Sequence, residues 1–207
     1  MESMIDISNR YFTDKRTTPC EGINKPHNYI KIYEKYLSKF REKKFNLLEV
    51  GVGDHPNAIK NGSYRMWLEI FPQAHVTVID YNESVLKNMV ESERLTKVNL
   101  NQGRQDQLNS AAENFSNFDI IIDDGSHQVD HIIKTFNTFF PLLSDGGVYI
   151  IEDTYLFFKP EQNLNFFSDI IRGINYGISH KEVHKNSNSI NITKDLAIIT
   201  KGKDLTY

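Results

Sequence analysis

The length, charge and cysteine content of the chain exclude several classes of protein. Its 207 residues suffice for one globular domain, since a domain of this size buries roughly 70% of the surface that its unfolded chain exposes. The 24 Lys and Arg against 27 Asp and Glu give a formal charge of −3, and no basic block offers a track for phosphates, which argues against a nucleic-acid partner. The single cysteine excludes an internal disulfide framework.

The first predicted element is an amphipathic helix. Ile30, Tyr33, Leu37 and Phe40 fall on one helical face, and we expect this helix to cover a sheet. The acidic start of the chain argues against a signal peptide, and no apolar run approaches the roughly 18 residues of a membrane span. We therefore expect a soluble, cytoplasmic protein with no membrane contact.

Short apolar segments rich in β-branched residues then alternate with stretches of helical spacing. The predicted strands are 45–50, 75–80, 118–123 and 147–152, a helix is predicted over 128–143 with a turn at 144–147, and the last elements are a helix near 166–174 and strands at 189–192 and 196–201. This alternation predicts an α/β fold, Rossmann-like and doubly wound, with a mostly parallel seven-stranded sheet and helices on both faces. We interpret the chain as a single domain, residues 1–207, with a helical cover (1–44), a core (45–155) and an acceptor side with the last strands (156–207).

The first strand runs into a glycine turn. Gly51 and Gly53 let a ligand approach the backbone closely. A nicotinamide fingerprint would continue to a third glycine, but the chain has Pro56, and Asp80 lies 27 positions beyond Gly53 rather than about 20. A pyrophosphate site is thus disfavoured, whereas S-adenosylmethionine has no pyrophosphate to seat.

Two acids belong to this predicted cofactor site. Asp80, at the end of the second strand, suits the ribose hydroxyls of S-adenosylmethionine, and Glu49 suits its ammonium. The alternative is that both acids merely end strands. A polar cluster at 101–106 follows a third strand of the sheet, to which the apolar pattern assigns no segment, and Gln105 or Asp106 could form a hydrogen bond with an adenine ring there. Alternatively, the cluster is a polar loop with a helix cap at Asp106.

Acidic residues also follow the predicted strands 118–123 and 147–152, which we count as the fourth and fifth strands of the sheet. Asp123 and Asp124 precede Gly125-Ser126-His127, and Glu152 and Asp153 lie 28 and 29 positions beyond Asp124. Because the carboxyl ends of neighbouring parallel strands meet at one edge of a sheet, we expect these carboxylates to gather there. Clustered carboxylates repel each other unless a cation neutralises them, and oxygen ligands favour Mg²⁺ or Mn²⁺. We predict Asp124, Glu152 and Asp153 as metal ligands.

A metal and a base together suit O-methyl transfer, because a coordinated hydroxyl is more acidic and is held for in-line attack. His127 is the predicted base, with Asp124 also counted as catalytic. Asp123 is expected to support the site and is counted among the cofactor-binding candidates. Alternatively, His127 is a surface residue and Asp123 or Asp124 caps the next helix. His131 is interpreted as structural.

These residues resemble the class I methyltransferases typified by the macrolide-sugar O-methyltransferases of the mycinamicin and related pathways. The likeness is carried by Thr13-Asp14-Lys15, His27-Asn28-Tyr29, Tyr33, the glycine turn, Gly62-Ser63-Tyr64-Arg65-Met66-Trp67, Phe71-Pro72 and Ile79-Asp80. The resemblance implies the same metal ligands and the same base, and it adds Ser63 and Arg65 to the cofactor-binding candidates.

The expected function is S-adenosylmethionine-dependent methylation of a hydroxyl on a small molecule, such as a sugar or a glycan, capsule or nucleotide-sugar precursor. We do not expect macrolides as acceptors for two reasons. This sequence does not show the family's long amino-terminal region, and it has Tyr155-Leu156-Phe157-Phe158 where the family tends to have small polar residues and an aromatic. A homo-oligomer is compatible with the sequence. The alternatives are a nicotinamide-dependent Rossmann oxidoreductase and a non-catalytic cofactor-binding module.

Overall fold

The computed structural model describes residues 2–53, 55–154, 160–176, 186–193 and 195–202. The chain forms two compact units, the first ending at Asn99 and the second beginning at Leu100. The prediction of a single domain, with its three subdivisions, stays a prediction. Among the described residues, no helix combines the length and the apolar character needed to cross a membrane.

The first unit contains five helices and three strands among its described residues: α1 (Met4–Ser8), α2 (Tyr29–Leu37), β1 (Asn46–Val50), α3 (Pro56–Asn61), α4 (Ser63–Ile70), β2 (His75–Asp80), α5 (Glu83–Asn88) and β3 (Leu95–Asn99). Its strands are parallel and lie in the order β3-β2-β1. The predicted face of α2 is confirmed, because Ile30, Tyr33 and Leu37 are buried. Phe40 is also buried but lies on the short 3-10 turn that follows.

The second unit contains three helices and four strands in its described part: α6 (Gln105–Asn114), β4 (Phe118–Asp123), α7 (Val129–Phe139), β5 (Leu143–Glu152), α8 (Pro160–Tyr176), β6 (Ser187–Ile192) and β7 (Leu196–Lys201). Strands β4 and β5 are parallel, and β5, β7 and β6 follow as antiparallel neighbours. Ile120, Ile121 and Ile122 are all buried, as expected for a strand covered on both faces. The seven strands confirm the Rossmann-like, mostly parallel α/β class.

Two details of the predicted elements are wrong. The helix predicted over 128–143 ends at Phe139, because Pro141 follows and a 3-10 turn replaces the last helical residues. The turn predicted at 144–147 lies inside β5, where the register with β4 skips from Leu143 to Val148. Gly146 has a φ of +78° there, so the turn residues produce an irregularity in the strand rather than a separate loop.

An aromatic cluster forms part of the core of the first unit. The Trp67 ring is fully buried, and its centroid lies 5.6 Å from that of Tyr33 and 6.0 Å from that of Phe71. These contacts join α2 to α4, two helices that precede and follow β1. The packing of this unit therefore depends strongly on one large side chain.

We expect Trp67→Ala to lower the free energy of unfolding by about 3–5 kcal/mol, because deleting a buried aromatic side chain removes its burial and leaves a cavity. Urea denaturation followed by circular dichroism measures this change. Ile192→Ala is the control, since 49% of Ile192 is exposed. Equal losses for the two variants would show that Trp67 has no special place in the packing.

Candidate functional site

The glycine turn after β1 has a backbone that favours glycine. Gly51 has a φ of +86° and Gly53 a φ of +71°, which residues with a Cβ atom rarely adopt. The Gly51 N–H donates to the Ile79 carbonyl at 2.8 Å, so the turn begins while β1 is still paired with β2. Both predicted glycines are therefore placed in a turn at the carboxyl end of β1.

Asp80 lies beside this turn, at the carboxyl end of β2. Its Oδ2 accepts the Val52 N–H at 3.3 Å and its Oδ1 accepts the Asn82 N–H at 2.8 Å. The carboxylate thus ties the glycine turn to the end of β2. An ionised carboxylate can accept about four hydrogen bonds, so these two contacts leave capacity for ligand hydroxyls. The ribose role stays a prediction.

Glu49 is fully buried near the end of β1. Its Oε1 lies 3.9 Å from Nζ of Lys15, which is 1% exposed. Lys15 belongs to the Thr13-Asp14-Lys15 segment of the family resemblance, which assigned it no role. The ammonium group of Lys15 therefore lies beside the Glu49 carboxylate, for which the sequence suggested the ammonium group of the cofactor as a partner. The contact of Glu49 with the cofactor remains a prediction.

Ser63 and Arg65 lie on the first turn of α4. Ser63 is buried, whereas Arg65 is exposed and its Nη1 donates to the Lys60 carbonyl at 3.3 Å. The structure thus turns the two side chains toward different surroundings. Their cofactor-binding roles stay predictions of the resemblance.

Gln105 and Asp106 belong to the first turn of α6. Gln105 Nε2 donates to Asn109 and to Thr138, each at 2.9 Å. The suggested helix cap at Asp106 is wrong, because α6 begins at Gln105 and its N-cap position is Arg104. Asp106 instead accepts a hydrogen bond from the Arg104 guanidinium at 2.7 Å, in the first turn, where a negative charge is favourable. Contacts of both residues with adenine remain predictions.

The acids of the second unit do gather at the ends of two strands. In the parallel pair, Asp123 of β4 is registered with Ile151 of β5, so Asp124 and Glu152 follow at the same edge. Asp124 offers a carboxylate oxygen within 4.8 Å of one from Glu152 and of one from Asp153. We call Asp124, Glu152 and Asp153 the carboxylate cluster.

His127 lies against the carboxylate cluster. Its Nε2 is 3.8 Å from Asp153 Oδ2 and 4.0 Å from Asp124 Oδ1, and 22% of its side chain is exposed. The imidazole can therefore reach both solvent and the acids. The distances also allow His127 to be a metal ligand together with Asp124 and Asp153.

The backbone is strained at this cluster. Three non-glycine residues in the described part of the chain have positive φ, namely Asn28 (61°), His127 (56°) and Asp153 (53°). Such conformations cost on the order of 1–3 kcal/mol each and persist where the surroundings fix them, which is common at functional sites. Two of the three lie at the carboxylate cluster.

Asp123 precedes the cluster and is only 1% exposed. Its Oδ1 accepts hydrogen bonds from Gln102 Nε2 at 3.2 Å and from the Gly125 N–H at 3.4 Å. Burial raises the pKa of Asp123 to about 7, although the bond from Gln102 opposes this rise. Neither Asp123 nor Asp124 caps α7, whose N-cap is Gln128. The cofactor-binding assignment of Asp123 stays a prediction.

The donor set of the carboxylate cluster fits a hard divalent cation. Three carboxylates supply oxygen ligands, which Mg²⁺ and Mn²⁺ prefer. A cation would also offset the repulsion among like charges held this close together. The cluster could thus hold the metal that the sequence predicts.

Two residues contact the loop between β4 and α7, and only one of them, His131, had been assigned a role from the sequence. His131 accepts or donates a hydrogen bond at 2.8 Å between its Nδ1 and Ser126 Oγ, which agrees with a structural role. Gln102 is buried and contacts both Asp123 and Ser126, yet it stood in the 101–106 cluster without a role. No pattern in the sequence indicated these contacts of Gln102.

The protein is thus a Rossmann-like α/β protein in which carboxylates at the ends of two strands form a cluster that could hold a metal ion. The family model described as "Methyltransferase domain" matches residues 43–205. The chain belongs to this methyltransferase family.

Relatives named as O-methyltransferases match the chain over part of their length. A "Mycinamicin VI 2''-O-methyltransferase" of Micromonospora griseorubida is 32% identical over 75% of the chain and 37% of its own length. An "8-demethyl-8-(2-methoxy-alpha-L-rhamnosyl)-tetracenomycin-C 3'-O-methyltransferase" of Streptomyces olivaceus is 35% identical over 65% of the chain and 34% of its own length. The chain thus spans about a third of these relatives.

A solved structure supports the fold over nearly the whole chain. The methyltransferase MycE of the mycinamycin pathway, in complex with Mg, SAH and mycinamycin VI, has a TM-score of 0.81 and 26% identity, covering 98% of this chain and 54% of MycE. The chain is therefore similar to about half of that protein.

Proposed function

We propose that the protein is an S-adenosylmethionine-dependent O-methyltransferase that acts on a sugar hydroxyl of a small molecule. The observation that carries this proposal is His127 Nε2 at 3.8 and 4.0 Å from two acids of the carboxylate cluster. These distances support a role for His127 as a base beside a metal site, in a member of a methyltransferase family. Relatives named for O-methylation of glycosylated compounds support the choice of acceptor.

The proposed reaction balances without a redox partner. The acceptor oxygen forms a bond to the methyl carbon while the carbon–sulfur bond of S-adenosylmethionine breaks, and its electron pair stays on sulfur in S-adenosylhomocysteine. The hydroxyl proton passes to His127 Nε2. General-base assistance of this kind is worth about 10²–10⁴-fold in rate.

The carboxylate cluster has the donors to hold Mg²⁺ or Mn²⁺ in this reaction. Such an ion lowers the pKa of a hydroxyl and fixes its position. Asp124, Glu152 and Asp153 would hold the ion, and the positive φ of Asp153 and His127 is the kind of backbone strain that is common at functional sites. MycE, which was solved with Mg and SAH, supports the choice of both groups.

The glycine turn and Asp80 are the proposed binding residues for S-adenosylmethionine. The Asp80 carboxylate retains acceptor capacity for ribose hydroxyls, and the Gly51 and Gly53 backbones allow close approach. Glu49, Ser63, Arg65, Gln105, Asp106 and Asp123 remain further candidates. The hydrophobic acceptor-side segment at 155–158 lies outside the described residues, so the proposed acceptor rests on the relatives and on the cluster.

The test is transfer of a labelled methyl group. The purified protein is incubated with labelled S-adenosylmethionine, Mg²⁺ and a panel of free, phosphorylated and nucleotide-linked sugars. We expect label uptake by one class of sugar and its loss on chelation with EDTA. Uptake of label that continues in the presence of EDTA would refute the proposed requirement for a metal ion. Thermal stabilisation by NAD but not by S-adenosylhomocysteine would favour the oxidoreductase instead.

Asp80→Ala is expected to weaken binding of S-adenosylhomocysteine by roughly 10- to 150-fold, because hydrogen bonds to a charged group contribute about 1.5–3 kcal/mol. Isothermal titration calorimetry measures this affinity, and a thermal melt checks that the variant is folded. Asp6→Ala, at an exposed position of α1, should bind like the wild type. Unchanged affinity in a folded Asp80→Ala variant would remove Asp80 from the binding site.

A further inference from the structure

The loop between β4 and α7 carries both Asp124 and His127, and it forms hydrogen bonds within itself and with α7. The Ser126 hydroxyl interacts with His131, and the Gln128 N–H donates to Ser126 Oγ at a long 3.4 Å. The first turn of α7 has no side-chain cap. A loop that holds His127 at a positive φ needs restraint from elsewhere in the structure.

The carboxamide of Gln102 supplies this restraint. Its Nε2 donates to Asp123 Oδ1 at 3.2 Å, and its Oε1 accepts the Ser126 N–H at 2.6 Å. One side chain therefore binds the loop on both sides of Asp124 and Gly125. The side chain is 6% exposed, so water competes little for these bonds.

Gln102 is itself fixed to α7. Its Nε2 also donates to Thr135 Oγ1, at an N···O distance of 3.1 Å. The Thr135 hydroxyl in turn donates to the His131 carbonyl at 2.9 Å. Lys134 Nζ donates to the carbonyl of Gly103, the residue after Gln102, at 3.0 Å. Both Nε2 donors are thus used, and the carboxamide is anchored to a helix rather than to a mobile loop.

The Gln102 carboxamide also lies very close to Gly125. A Cβ atom built on Gly125 would lie 2.0 Å from Gln102 Oε1 and 2.8 Å from its Cδ, far below any real contact of a Cβ atom. The carboxamide therefore occupies the space that any other residue would fill. Gly125 is needed here for close approach, not for a positive φ.

We propose that Gln102 is a positioning residue, whose carboxamide holds the loop from Asp123 to Ser126 so that Asp124 and His127 stay in place for metal binding and proton transfer. This inference rests on the proposed function. Gln102 touches no reacting atom in this scheme; it acts through Asp123 and through the Ser126 backbone. Groups that orient metal ligands in this way typically contribute about 10- to 100-fold in metal affinity or activity.

The test is Gln102→Met, which keeps the length of the side chain and removes its hydrogen bonds. We expect the Kd for Mn²⁺, measured by electron paramagnetic resonance, to rise by about 10- to 100-fold. We also expect kcat to fall at low Mg²⁺ and to recover partly at high Mg²⁺, with the affinity for S-adenosylhomocysteine unchanged. A merely structural role would lower the melting temperature without this recovery. Gln73→Met, which loses one exposed amide bond in the first unit, is the matched control.

Gly125→Ala tests the same contact without changing Gln102. The added methyl group must displace the carboxamide, so this variant should reproduce the loss of Mn²⁺ affinity. In a Gln102→Ala background, Gly125→Ala should change the Kd by no more than about twofold, because its clash partner is gone. Full additivity of the two changes would overturn the proposal, even if Gln102→Met failed to fold.

The outcomes separate this inference from the proposed function. A wild type that binds Mn²⁺ and transfers methyl groups, with a folded Gln102→Met variant of equal Mn²⁺ affinity, overturns the positioning role alone. A wild type that neither binds Mn²⁺ nor transfers a methyl group overturns both.

Discussion

Asp124→Asn is expected to lower kcat/KM for methyl transfer by about 10³-fold, because charge stabilisation by a bound metal is worth several kcal/mol and each 1.36 kcal/mol is tenfold in rate. Asp124 is the residue whose carboxylate comes within 4.8 Å of oxygens from both Glu152 and Asp153. The amide has the same shape but carries no charge. The rate of labelled methyl transfer and the affinity for Mn²⁺, measured by titration, should therefore both decrease.

Asp145→Asn is the matched control for this experiment. Asp145 is exposed and lies near the start of β5, whereas Glu152 is the last residue of that strand. The same loss of one negative charge should leave turnover and Mn²⁺ binding unchanged. Wild-type turnover in Asp124→Asn would mean that the carboxylate cluster does not serve the reaction.

His127→Asn is expected to lower kcat by about 10²–10⁴-fold, the usual contribution of a positioned base. Asn is the informative replacement, because it tolerates a positive φ better than most residues and His127 has a φ of 56°. The change then removes the imidazole without forcing a new path on the loop. Single-turnover rates measure the effect on the methyl-transfer step.

The affinity for Mn²⁺ in the same variant decides between two roles of His127. A base is expected to leave this affinity unchanged, whereas a ligand would weaken it, and the distances of 3.8 and 4.0 Å to Asp153 and Asp124 allow either role. His75→Asn, at the start of β2, where the ring bonds Thr96, is the control. A rate close to that of the wild type in His127→Asn would exclude the histidine as the base.

The meeting of Asp124 and Glu152 could be predicted because it follows from topology. Parallel strands with a connecting helix bring their carboxyl ends to one edge, and the strand 118–123 was predicted with its observed bounds. By contrast, β3 received no predicted segment. It is the outermost strand of the first unit, and its residues Lys97 and Asn99 interrupt the apolar pattern on which strand prediction depends.

The contacts of Gln102 and Lys15 could not be predicted from sequence patterns. Gln102 reaches Asp123 across 21 positions, and Lys15 reaches Glu49 across 34. Neither pair has a periodic spacing, and a polar side chain in a loop normally faces water. Burial of these groups depends on how the chain packs in three dimensions, which no local rule supplies.

The ion pair of Lys15 with Glu49 limits how this chain can vary. Both side chains are withdrawn from solvent, and removing one member of a buried pair typically costs about 3–5 kcal/mol, whereas replacing both by well-packed apolar residues can be neutral. A single substitution at either site should therefore destabilise the protein, so the two positions can change only together. An engineer who grafts β1 into another scaffold should transfer the lysine with it, or neutralise both positions in one step.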